Sequence, residues 1–156
     1  TIIEWLSTDC TFAGVRRGNL PPNGKDFQNN TETLQATFYN GNKLPNTNEL
    51  IWNHDLVSED VNFHLQLLIK GHRNRVWCKY GLMSKWALEG GCQAGPNPRD
   101  VKMINESHEK LIELYPNFVK WNMKNGEQKI TEGFKAIKVF YSNAYKSSRI
   151  NQLEFE

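Results

Sequence analysis

The chain has 156 residues, of which 38% are hydrophobic, 23% charged and 12% aromatic, the proportions and size of one globular domain rather than a disordered segment. No uninterrupted apolar run exceeds three residues, so no transmembrane segment is expected, and no basic-then-apolar signal peptide opens the sequence. The net charge of +2 hides a division: residues 1–69 carry four basic against eight acidic side chains, net −4, and residues 70–156 carry fifteen against nine, net +6.

Thr1–Leu6 fits a short strand or a helix start. From Gly14 to Asn30 the composition turns to Gly, Pro, Asn and charge, and Pro21-Pro22 predicts a loop, with Arg16 and Arg17 at its start. Thr31–Leu44 alternates Leu34, Ala36 and Phe38 with Gln35, Thr37 and Tyr39, a strand pattern that Asn40-Gly41 could turn into a hairpin. Val61–Lys70 reads as a second strand, with Phe63, Leu65, Leu67 and Ile69 on one face and His64, Gln66, Leu68 and Lys70 on the other.

Past Gly71 the segment 70–86 holds Lys70, Arg73, Arg75, Lys79 and Lys85 with His72 and no acid, interleaved with Trp77, Tyr80 and Trp86. Leu82–Leu88 reads as a short helix, and 89–98 as a Gly/Pro loop entered at Gly90-Gly91. Asp100 can cap a helix over 100–115, with Ile104, His108, Leu111, Ile112 and Tyr115 in one stripe. A further helix is expected from Pro116 through Phe118 and Trp121, ending at Asn125-Gly126. The last helix, over 128–146, would place Ile130, Phe134, Ile137, Tyr141, Ala144 and Tyr145 on one face and Lys135, Lys138 and Lys146 opposite. Strands first and helices after predict an α+β class: a small antiparallel sheet in the N-terminal half, from 31–44 and 61–70, packed against C-terminal helices in a single domain, 1–156.

Several chemistries lack their residues. There is no phosphate-binding G-x-x-x-x-G-K-[ST], no G-x-G-x-x-G, no H-E-x-x-H and no G-x-S-x-G. Ser107-His108-Glu109-Lys110 lacks the second histidine of a zinc protease, and the deaminase combination of H-x-E with C-x-x-C is missing. No metal site and no cofactor is expected, because Cys10, Cys78 and Cys92 and the four histidines are scattered. Three cysteines, an odd number, fit reduced thiols in an intracellular setting, cytoplasmic or nuclear. The sequons at Asn29 and Asn105 arise easily in a chain with 18 Asn and carry no weight for secretion.

What remains is the basic–aromatic segment. Lys and Arg neutralise phosphates, and unpaired bases stack on aromatic rings, so the pattern predicts a non-enzymatic polyanion-binding protein whose first partner is single-stranded RNA or DNA. The residues expected to carry it are Lys70, Arg73, Arg75, Lys79 and Lys85 for phosphates and Trp77 and Tyr80 for bases, extended by Arg16 and Arg17 and by Lys135 and Lys138. An anionic membrane surface is the competing polyanion.

Two other classes stay open. A self-assembling structural protein, by analogy with viral matrix or nucleocapsid proteins, could pair its acidic and basic halves into a homo-oligomer, with Leu153–Phe155 as an exchanged arm. A hydrolase could use Cys10 or Cys78 with His54, His64 or His72, or a metal held by Asp55, Glu59 and Asp60, although Leu68 stands where a nuclease would place its second acid.

Overall fold

The structure, a computed structural model, describes residues 2–18, 24–33, 36–50, 57–82, 100–131 and 133–153. It is of the α+β class: the described residues form four α-helices, and a four-stranded sheet in the N-terminal half. The chain divides into two compact units, the first formed by Thr1–Trp52, Phe63–Ser84 and Tyr141–Glu156, the second by Asn53–Asn62 and Lys85–Phe140.

In the first unit α1 (Ile2–Thr8) leads into β1 (Phe12–Arg17), followed by β2 (Phe27–Asn29), β3 (Ala36–Tyr39), α2 (Glu59–Ile69), whose first turn belongs to the second unit, and β4 (Asn74–Leu82). The sheet runs β2-β4-β1-β3. It is mixed rather than antiparallel, because β1 and β4 are parallel while β2 and β3 run against their neighbours. All of β2, and β1 from Gly14 onward, fall inside the stretch expected to be loop. The Asn40-Gly41 hairpin does not form: β3 ends at Tyr39, and Asn40 instead accepts from the Lys43 amide in a turn.

The segment expected as a second strand is the helix α2. Glu59 and Asp60 lie in its first turn, where carboxylates meet the positive end of the helix dipole. Gly71 stops it at φ +87°, with the Gly71 amide bonded to Leu68 O and the His72 amide to Leu67 O, a paired closure that needs a left-handed residue. Val61, Asn62, Phe63, His64, Leu65, Leu67 and Leu68 are all buried, so the helix has almost no wet side and its 3.6-residue period is masked.

In-register partners share a side of the sheet. Phe12, Val76 and Tyr39 lie on one side, where His64 of α2 stacks on Phe12 at 5.0 Å and Phe63 meets Tyr39 edge-on at 5.7 Å. Ala13, Arg75, Val15, Trp77 and Phe27 lie on the other, against Trp5 of α1. Helix α4 (Tyr141–Leu153) buries Tyr141, Ala144 and Ser148 along one stripe.

In the second unit α3 (Val101–Leu114) matches the expected helix, cap included: Asp100 Oδ1 accepts from the Met103 amide at 2.7 Å. Beyond it the two expected helices give way to short strands, β5 (Val119–Trp121), β6 (Met123–Lys124), β7 (Glu127–Gln128), β8 (Ile130–Thr131), β9 (Phe134–Lys135) and β10 (Ile137–Val139), and only 141–146 of the last one is helical, in α4. Asn125 and Gly126, at φ +53° and +84°, join β6 to β7 as a two-residue hairpin turn, the conformation this dipeptide favours. Three ribbons, β5–β10, β6–β7 and β8–β9, meet at a cyclic junction. The Asn122 amide donates to Ala136 O, the Ala136 amide to Lys129 O, and the Lys129 amide to Asn122 O, each at 2.8–2.9 Å. Gln128 Nε2 donates to the same three carbonyls, at 2.9 Å to Ala136, 3.2 Å to Lys129 and 3.5 Å to Asn122.

Candidate nucleic-acid interface

Of the expected site residues Arg75, Trp77, Lys79 and Tyr80 lie in β4 and Arg16 and Arg17 in β1, while Lys70 and Arg73 precede β4. Lys70, past the end of α2, pairs with Glu49 at 3.6 Å. Arg73 and Lys79 are six residues apart, roughly 15–20 Å along an extended chain, and so cannot share one phosphate. Arg75 turns inward: its side chain is 13% exposed, Nε donates to Asn29 Oδ1 at 2.9 Å and Nη2 lies 3.3 Å from Asp9 Oδ2. Its guanidinium also covers the Phe27 ring at 4.4 Å and the Trp5 ring at 5.4 Å. This cation is a structural wedge between α1 and the sheet. Lys85 and Trp86 lie outside the described residues, as do the expected helix over 82–88 past Leu82, the loop over 89–98 and the Phe155 arm.

What the fold does assemble is a row of rings. Trp5 lies 5.8 Å from Phe27 and 6.5 Å from Trp77, and Trp77 meets Tyr80 edge-on at 5.3 Å. The ends of the row face solvent, with Phe27 41% and Tyr80 61% exposed. Tyr80 reaches this side because β4 is irregular: Val15 pairs with Trp77 but Arg16 pairs with Gly81, so Cys78, Lys79 and Tyr80 bulge from the ladder. The bulge closes on a tight crossing. The Gly18 amide donates to Leu82 O at 2.7 Å, and a β-carbon on Gly81 would stand 2.5 Å from Gly18 Cα.

Two further cations lie on the neighbouring strands β4 and β1. Lys79, in the bulge, is exposed and has no ion pair among the described residues. Arg17 falls on the side of Ala13 and Val15 by strand alternation. It is 3.8 Å from Glu32, a loose contact, and its buried Nε has no hydrogen-bond partner among the described residues. A buried N–H without an acceptor is unfavourable by about 1–3 kcal/mol. Arg16, its sequence neighbour, alternates to the other side.

Trp5 and Phe27 were not legible as site residues. Nothing linear brings residue 5 beside residue 77, and Phe27 lay in a segment dominated by Asn, Gly and Pro.

Of the groups that a hydrolase would use, His54 and Asp55 lie outside the described residues. Cys10 is fully buried and burial pushes its thiol up, against the opposing pull of Arg75 and Arg73. Cys78 Sγ lies 3.5 Å from Val76 O and 3.9 Å from Gln28 Oε1. His64 is 1% exposed; its ring nitrogens meet Thr33 Oγ1 and the Tyr39 hydroxyl, and burial holds its pKa down at about 4. His72 Nδ1 meets Thr11 Oγ1 at 3.1 Å, and burial, then Lys70, lowers its pKa against the pull of Glu49. Among the described residues no group of three or more His, Cys, Asp or Glu is placed to hold a metal, and no helix is long and apolar enough to cross a membrane. The Asn105 sequon lies in α3 with Ser107 buried, and Asn105 Oδ1 accepts from the Lys135 amide.

No protein-family model matches the chain, and neither the curated proteins nor the solved structures compared with it contain a match.

Proposed function

We propose that this chain binds single-stranded nucleic acid without catalysing a reaction on it, using the aromatic row at the bulged end of β4. The reading is supported by one observation above the rest: Phe27, Trp5, Trp77 and Tyr80 run ring to ring and end in two rings open to solvent. A bare polyanion needs only charge, whereas exposed rings select for a partner with planar faces of its own. In this reading Tyr80 and Phe27 stack on bases, Arg17 and Lys79 hold phosphates, and Arg75 shapes the platform from beneath without touching the ligand.

The experiment is a tryptophan-fluorescence titration with a short labelled oligonucleotide at two salt concentrations, for the wild type, Tyr80→Ala and Arg17→Ala. Tyr80→Ala is expected to weaken binding about tenfold, the lower range of one lost base–ring stack. Arg17→Ala should reduce the salt dependence by about 0.7 in log K against log salt. Wild-type affinity in both variants, or binding equally strong to heparin and to anionic vesicles, would overturn the reading.

A further inference from the structure

The second unit carries a charge arrangement that its own fold does not explain. Strands β5 and β10 pair antiparallel with Lys120 directly opposite Lys138. The flanking bonds, Phe140 amide to Phe118 O and Asn122 amide to Ala136 O, make this a hydrogen-bonded register, with the two α-carbons about 5.5 Å apart. Like charges directly opposite each other destabilise a ladder. The neighbouring ribbon follows the favourable rule, with Lys124 opposite Glu127. Both Lys120 and Lys138 are exposed, and no carboxylate pairs with either among the described residues.

The same face continues into rings. Alternation puts Phe118, Lys120 and Asn122 of one chain segment beside Phe140, Lys138 and Ala136 of the other. Phe118 and Phe140 are half-buried, and Lys138 Nζ lies 5.1 Å from the centre of the Phe140 ring. The opposite face, with Val119 buried, holds Trp121, Ile137 and Val139. Lys135, by contrast, is already engaged by Glu109 at 3.5 Å and by the Trp121 ring.

We propose that Lys120 and Lys138 form a phosphate clamp for the backbone of a single-stranded nucleic acid, with Phe118 and Phe140 as the adjoining apolar floor. Two ammonium groups that repel each other across the ladder are both neutralised by one shared phosphodiester, which turns the repulsion into attraction for the anion. This site stands on the second unit alone and does not depend on the aromatic row of β4.

The test uses the full chain. The double variant Lys120→Gln/Lys138→Gln should bind a single-stranded oligonucleotide about tenfold more weakly, with a salt slope smaller by about 1.4, two phosphate contacts at 0.7 each. Lys102→Gln, which removes an exposed lysine paired with Glu106 on α3, should leave both quantities unchanged. Lys138→Glu supplies the readout that a purely structural role would not give. It should raise the thermal midpoint of the free protein by about 2 °C while weakening oligonucleotide binding. An abasic phosphodiester of the same length should lose affinity to the double variant in the same proportion. The proposal is overturned if the double variant keeps the wild-type affinity and slope, if Lys102→Gln matches its loss, or if Lys138→Glu lowers the midpoint. Because Tyr80→Ala reads only the β4 platform, the two sites fail separately.

Discussion

Tyr39 and His64 share a hydrogen bond of 2.8 Å between a hydroxyl at the surface and an imidazole that is itself almost wholly buried. Thr33 occupies the other ring nitrogen at 3.2 Å, and Phe12 stacks on the ring, so His64 is satisfied as a neutral base with no carboxylate among the described residues to favour its charged form. Its pKa falls to about 4 from 6.5 through loss of hydration. The folded protein therefore binds fewer protons than the unfolded chain in that window, and stability present above pH 6.5 is lost as pH falls through 4. The loss from this residue is about 3 kcal/mol. Urea unfolding at pH 7 and pH 4 measures it, and His64→Leu should remove this share of the pH dependence. An identical slope in wild type and variant would show that His64 is not its source.

Arg75 is expected to matter for the fold more than for its charge. Arg75→Ala removes the contacts to Asn29 and Asp9 and the cover over Phe27 and Trp5, and should cost about 2–3 kcal/mol in chemical denaturation. Arg75→Lys should recover less than half of that, since an ammonium lacks the planar fork that meets Asn29 and Asp9 together. Full stability in the lysine variant would mean that the positive charge alone is what the site uses.

Gly81→Ala tests the bulge. The added methyl would collide with Gly18 backbone, which no side-chain rotation relieves, and overpacking of this kind costs about 1–3 kcal/mol. Because Tyr80 and Lys79 are held by the same crossing, oligonucleotide affinity should fall together with stability. Stability that falls while affinity stays constant would separate the bulge from the platform.

At the ribbon junction Gln128 is the sensitive position. Gln128→Leu deletes a donor shared by three carbonyls and should cost about 1–2 kcal/mol. Gln128→Glu should cost more at pH 7, because a carboxylate has no donor to offer and adds charge facing three oxygens, and it should recover toward pH 4 as the carboxyl gains a proton. Thermal denaturation across that range distinguishes the two variants; a glutamate variant as stable as wild type at pH 7 contradicts the geometry.

Much of α3 could be read directly, because Asp100 and the stripe of Ile104, His108 and Leu111 are local signals that agree with the packed result. The basic and aromatic make-up of 70–86 was visible too, although that the segment past Gly71 is a strand was not. Helix α2 was not, because a helix buried on nearly every side shows apolar residues at every spacing, and its polar members, Asn62 and His64, are hydrogen-bonded inside rather than wet. Residues 128–140 misled in the opposite way: Ile130, Phe134 and Ile137 fit a helical stripe by spacing, while Asn125-Gly126, read as a helix stop, is a hairpin turn. For the site, the segment was visible and its facing was not. Whether Arg75 points outward depends on Asp9 and Asn29, far away in sequence, and no period within 70–86 carries that information.

The cyclic junction of Asn122, Lys129 and Ala136 ties the roots of three ribbons to one another, while the tip at Asn125-Gly126 is bound, among the described residues, through its own short strands. Lengthening that tip would displace none of the three root bonds. The architecture thus separates a fixed geometry at the hub from a periphery that can be rewritten, and a foreign peptide loop grafted between Lys124 and Glu127 should be displayed there with the rest of the second unit intact.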